Sequence, residues 1–180
     1  MIDGNLVLGL ARASILSELG KTVAYPALSE RLRERGASSV EVYDTFGHLR
    51  GHGSTAEAFR QLGDDISNNA VSAAFRDPKR APLDLDELDE VRLEVSVLET
   101  PERLVASDER AVLKQLRRGV DGVMIRYGKH HAAVLPQAWE RYTNSLDMVT
   151  HLKHRAGIPL DFWSDEVSLS RFRVRTFREQ

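Results

Sequence analysis

Between Val91 and Val97 the apolar residues fall on every second position, with Val91, Leu93, Val95 and Val97 alternating with Arg92, Glu94 and Ser96. A period of two is the pattern of a β-strand that puts one face on a core and the other toward solvent. Such a strand belongs in an antiparallel sheet, because parallel sheets are covered on both faces and read as continuous apolar runs. The remaining elements must therefore cover one side of that sheet.

Helical periods supply the cover. Leu6, Leu10, Ala13 and Leu16 recur at helical spacing before Gly20, which predicts an amphipathic first helix. A second helix is expected over Pro26 to Arg35, with proline in its first turn and Gly36 at its end. A third, over about Asp64 to Phe75, carries Ile66, Ala70, Ala73 and Ala74, a small-residue face suited to close packing on a sheet. It should stop before Asp77-Pro78, since the residue before a proline avoids helical geometry. Val40 and Val42 alternate with polar residues and lead through Gly47 into Leu49-Arg50-Gly51-His52-Gly53-Ser54, which reads as a strand running into a turn. Lys79 to Leu88 reads as an exposed connection.

In the second half, a helix from Asp108 to Arg118 ends at Gly119, and Val123–Tyr127 with His131–Leu135 flank Gly128-Lys129 as a hairpin. Two helical pieces follow, near Gln137–Tyr142 and Leu146–Ala156, and then a last strand from about Val167 to Thr176. That strand changes parity and so needs a bulge near Ser170. Helices mixed with hairpins point to an α+β fold, a mainly antiparallel sheet flanked by helices, and no linker divides residues 1–180, so a single domain is expected.

Composition excludes several functions. The chain has no cysteine, which removes thiol nucleophiles, thiolate metal sites and dithiol redox chemistry. With Lys+Arg 25 against Asp+Glu 27, its net charge of -2 supplies no bulk field for nucleic acid or anionic lipid, so either would require a local patch. The N-terminal segment lacks a basic n-region, and Arg12 and Glu18 interrupt the following helix, which predicts neither a signal peptide nor a membrane span. A soluble, cytoplasmic protein without membrane association is expected.

Several spaced motifs carry a resemblance. Leu49–Ser54 is followed in order by Asn69-Ala70 with Ala73–Pro78, by Leu93–Leu98, and by Gly119–Gly122. Leu135-Pro136-Gln137 with Trp139 come next, then His151-Leu152-Lys153, Ala156-Gly157 and Trp163. From Gly36 to Thr176 this series resembles the AMMECR family, the A protein of AmmeMemoRadiSam systems. The resemblance implies an AMMECR-like α+β domain with a smaller lobe and a groove beside the Leu49–Ser54 signature. By the same resemblance, Memo-type and radical SAM proteins are the expected partners, and no cofactor is implied. His52, Gly53 and Ser54 stand where the family carries Cys-Ile-Gly, and Arg80 where it usually has Phe, so chemistry that needs that cysteine does not carry over.

The candidate site centres on the signature. His52, between two glycines, could serve as a general acid or base, since an imidazole titrates near neutral pH; it could equally be a tolerated loop residue. Arg50 could grip a small anionic ligand by its planar fork, with the amides of Gly51, Gly53 and Ser54 forming a nest, or could anchor the turn to an acid such as Asp77. Asn69 could aim its amide at the same groove or bridge locally. A histidine metal centre is not expected. His48 and His52 lie about 13 Å apart if extended, His130 and His131 point to opposite sides of a strand, and His151 with His154 lack a third ligand. Arg171, Arg173, Arg175 and Arg178 could meet phosphates but read better as a basic edge strand, so nucleic-acid binding is not expected. Trp139 and Trp163 read as packing residues.

Overall fold

The alternating run becomes an inner strand of a four-stranded antiparallel sheet. In the computed structural model, which describes residues 2–106 and 108–180, the chain divides into two units: residues up to Leu98 with Arg175–Gln180, and Glu99–Val174. The first unit contains α1 (Gly4–Glu18), α2 (Glu30–Arg33), β1 (Arg35–Gly36), β2 (Ser38–Tyr43), β3 (Leu49–Ser54), β4 (Arg60–Gln61), α3 (Leu62–Phe75) and β5 (Arg92–Leu98). The second contains β6 (Glu102–Arg103), α4 (Glu109–Leu113), β7 (Gly122–Tyr127), β8 (His130–Val134), α5 (Ser145–Ala156) and β9 (Ser168–Phe172). The final strand, β10 (Val174–Arg178), completes the first sheet, whose order is β10-β5-β2-β3; β1 and β4 pair separately. The second sheet runs β6-β9-β7-β8. The fold is α+β, as expected.

In the first unit, Val40 and Val42 of β2 pair with Val95 and Leu93 of β5, and all four point into a core with Val7, Leu10 and Ile15 of α1 and Ile66, Ala70 and Ala73 of α3. The opposite face of β5 is not wet. Glu94 and Ser96 are 7% and 3% exposed, so alternation of residue type here separates an apolar core from a buried polar layer.

The second unit packs α5 on its sheet through Met148, Val149 and Leu152, against Val123, Ile125, Val134 and Leu169. Asn144 caps the start of α5 by accepting the Asp147 N–H at 2.9 Å, and Gly157 ends it at φ +72°, where a side chain would be strained. Lys153 is buried on this helix with its charge satisfied: Nζ lies 2.6 Å from Glu109, donates to the Leu160 carbonyl at 3.1 Å and stands 5.5 Å from the Trp163 ring centroid. Trp139 is buried and donates from Nε1 to the Asp121 carbonyl at 2.6 Å. Both tryptophans therefore pack. Among the described residues no helix is long and apolar enough to cross a membrane.

Five local expectations change. The second helix is a single turn, because its one buried residue is Leu32 and a short helix depends on tertiary packing. The helix after Asp108 stops at Leu113, and Arg117 beyond it is held by Asp121, whose carboxylate accepts its backbone N–H at 2.8 Å and meets its guanidinium at 2.5 Å. The connection after Lys79 is partly internal, with Leu83 and Leu88 buried. The last strand breaks at Arg173 rather than Ser170, and its halves join different sheets. Finally, Leu49–Ser54 is a full edge strand, and the turn precedes it at Asp44–Gly47, where Gly47 takes φ +81°.

Candidate functional site

The glycines of the signature are explained by the helix behind them. In β3, Gly51 and Gly53 share the parity that faces α3, opposite Val42 and Val40 of β2. A Cβ at Gly51 would stand 2.0 Å from the Ala73 carbonyl oxygen, and one at Gly53 would stand 2.3 Å from that of Asn69. Strand and helix thus meet backbone to backbone, which glycine on one side and alanine on the other permit.

Arg50 is committed to the fold. The β2–β3 register shifts between Val42 and Tyr43, so Leu49 rather than Arg50 stands opposite Tyr43. Nε and Nη2 of Arg50 both reach the Glu87 carboxylate at 2.9 Å, Nη1 donates to the Ala81 carbonyl at 2.8 Å, and Nη2 approaches that of Pro82 at 3.4 Å. The guanidinium staples the 81–87 connection to the edge strand. Asp77, the acid expected for this task, instead accepts the His52 backbone N–H at 3.1 Å and closes part of the strand's open edge.

The hydrogen bonds from Arg50 hold the Glu87 carboxyl below the usual carboxylate range, overcoming the burial that would raise it. A lowered pKa on folding stabilises the native state above the ordinary carboxylate value, and this is lost as pH falls through the folded value. Glu87→Gln is therefore expected to flatten the acid limb of a stability-against-pH profile from chemical denaturation, leaving neutral stability lower by about 1 kcal/mol. An unchanged acid limb would refute the assignment.

Asn69 also faces the core side. Its Nδ2 donates to the Ser38 carbonyl at 2.9 Å, the Ser38 hydroxyl at 3.0 Å and the Asp65 carboxylate at 3.0 Å, while its Oδ1 accepts from Thr55 at 3.2 Å. Asp65, fully buried, accepts the Ser38 N–H at 2.8 Å and hydroxyl at 2.7 Å and lies 3.0 Å from Arg60 Nε. This network ties β2 and the β3 end to α3.

His52 and Ser54 take the other parity. Across the sheet, His52 stands opposite Glu41, Glu41 opposite Glu94, and Glu94 is ion-paired with Arg178. The adjacent row is hydroxylic: Ser54 opposite Ser39, Ser39 opposite Ser96, and Ser96 hydrogen-bonded to Thr176 at 2.8 Å. The rows touch where the Ser39 hydroxyl meets His52 Nε2 at 3.3 Å, and Tyr43 donates to Glu41 at 2.8 Å. Burial, then that hydrogen bond and the neighbouring carboxylates, push the Tyr43 phenol upward, so it stays a donor through the neutral range.

The six expected site residues thus divide between two tasks. Arg50, Gly51, Gly53 and Asn69 secure the strand, and His52 and Ser54 join a polar layer with Ser39, Glu41, Glu94 and Ser96. Those partners escaped the sequence reading because they meet through register; the available signal was the polar parity of β2, Ser39-Glu41-Tyr43, interleaved with Val40 and Val42. Among the described residues no group of three or more His, Cys, Asp or Glu could hold a metal ion. The terminal arginines do not line one strand: Arg171 pairs with Glu102 at 2.9 Å in the second unit, and Arg178 is taken by Glu94 in the first.

An antiparallel sheet with a glycine edge strand pressed on a helix, and a two-row polar layer on its far face, defines an α+β protein of AMMECR type. The chain belongs to the AMMECR1 family, whose model matches residues 8–177. It is 31% identical to Protein MJ0810 of Methanocaldococcus jannaschii over 98% of this chain and 90% of that protein. It is 28% identical to Protein MK0488 of Methanopyrus kandleri over 99% and 89%. The crystal structure of the uncharacterized protein PH0010 from Pyrococcus horikoshii superposes with a TM-score of 0.83 at 26% identity, covering 98% of this chain and 91% of that one.

Proposed function

We propose that this chain is an accessory protein of an AmmeMemoRadiSam-type system and that it binds a small ligand, or a polar segment of a partner, on the layer containing His52 and Ser54. The observation that carries this reading is the division of the signature: four expected site residues are occupied in holding β3, and two project into a row of hydroxyl, imidazole and carboxylate groups. Arg50 and Arg178 have their charges met by Glu87 and Glu94, so the layer favours a ligand rich in hydrogen-bond donors over the small anion expected from the sequence.

The test is association with purified Memo-type and radical SAM proteins, followed by calorimetry. His52→Ala should weaken association about tenfold while leaving thermal stability near wild type, since one hydrogen bond to a charged or polar partner is worth ~1.5 kcal/mol. Arg50→Ala should instead lower stability. No association with either protein, or His52→Ala binding like wild type, defeats the proposal.

A second reading rests on the Ser39–His52 contact with Glu41 opposite: an enzyme in which His52 is the acid or base for a small substrate. It predicts turnover that His52→Gln abolishes while leaving the melting temperature unchanged.

A further inference from the structure

α5 carries more basic side chains than its packing uses. Lys153 is consumed inside, but His151, His154 and Arg155 are exposed at positions i, i+3 and i+4. They therefore share one face and span about 6 Å of helix axis. The Tyr142 ring lies 5.4 Å from the His151 ring, which brings the neighbouring exposed Arg141 alongside from a separate element. A helix C-terminus attracts cations in its last turn, which accounts for His154 and Arg155. It does not account for His151, a turn earlier, or for Arg141.

The four groups act on one another. Burial first, and then Arg155, His154 and Arg141, disfavour the protonated form of His151. Asp147, one turn before it on α5, and Glu140, beside Arg141, are the acids of these two elements, and neither is among the charges that shift the ring. Among the described residues, none of Arg141, His151, His154 and Arg155 forms an ion pair with a carboxylate. Arg155 spends one donor on the Ala133 carbonyl, at 3.1 Å, and His130 takes the Ala156 carbonyl at 3.0 Å, so the helix end itself is already capped.

We infer that Arg141, His151, His154 and Arg155 form a site for a compact, multiply charged phosphate group of the pyrophosphate or triphosphate class. Arginine forks and imidazolium N–H groups are the donors that recognise such oxygens. The cluster is compact and offers one aromatic ring, whereas single-stranded nucleic acid is held by an extended basic groove with successive stacking platforms. Burial and the neighbouring basic groups disfavour protonated His151, and an anion here offsets the second of these, so binding takes up protons and tightens as pH falls from about 8 to about 6.

Inorganic tripolyphosphate, titrated into the full chain by calorimetry with the histidine ring resonances followed by NMR, tests this. Binding should be about tenfold tighter at the lower pH, and the His151 resonance should titrate at higher pH in the bound state. Arg141→Gln and His151→Gln should each weaken binding about tenfold without altering the melting temperature. Absence of binding, binding unchanged in the double variant, or tighter binding of a single-stranded oligonucleotide than of tripolyphosphate would overturn the assignment.

Discussion

Gly51→Ala is expected to destabilise the first unit by ~3 kcal/mol, more than most single-methyl changes, because the added carbon meets backbone rather than a movable side chain. Overpacking typically costs about 1–3 kcal/mol where neighbours can rotate away. Here the obstacle is the Ala73 carbonyl oxygen at 2.0 Å, fixed in the middle of α3. Relief requires the strand or the helix to withdraw, which opens contacts around Ala70 and Ala73, both within 1% of full burial. The loss should lower the melting temperature by roughly 6–12 °C in a chain of this size. Ser54→Ala, on the opposite parity and exposed, should stay within about 0.5 kcal/mol of wild type. Urea unfolding monitored by circular dichroism would measure both. A Gly51→Ala loss below ~1 kcal/mol would mean that the close approach of β3 to α3 is not what glycine serves.

That prediction also shows where sequence and structure parted. Glycine-rich runs commonly mark turns, and Leu49–Ser54 reads in sequence as a strand running into one; but glycine inside a strand also marks close approach of another backbone. The cue was divided between two segments: Gly51 and Gly53 two apart, and Ala70, Ala73 and Ala74 at helical spacing. Each is ambiguous alone, and together they describe two matched surfaces. The period-two runs and the helix ending before Pro78 were legible because their signals are local. Arg50 shows the opposite case. An arginine bound to an acid was foreseeable, but choosing Glu87 over Asp77 depends on a register shift and on a connection that returns 37 residues later, neither of which has a local signature. The same holds for the polar layer. Ser39, Glu41, Glu94 and Ser96 look like a solvated parity until the register aligns them and the fold buries Ser39, Glu94 and Ser96.

Asp65→Ala is expected to cost ~3–5 kcal/mol, because several buried hydrogen bonds to one charged group, each worth about 1.5–3 kcal/mol, are lost together. The carboxylate is wholly inaccessible and receives the Ser38 N–H, the Ser38 hydroxyl and the Asn69 amide, with Arg60 alongside. Its removal leaves the Ser38 N–H, at the start of β2, unsatisfied in the interior, and a buried donor without an acceptor is itself worth about 1–3 kcal/mol. Asp65→Asn is the informative companion. One amide oxygen can still accept from Ser38 and Asn69, but the NH2 group must then face the Arg60 guanidinium, donor against donor. Its loss should fall between Asp65→Ala and wild type. Arg60→Gln should cost least, because that side chain is already 30% exposed and the carboxylate keeps its other donors. If Asp65→Ala cost no more than Arg60→Gln, the charge pair rather than the hydrogen-bond set would be holding β2 to α3. The ordering puts the weight on Ser38 and Asn69, and so makes Asn69 a residue that positions the sheet carrying His52.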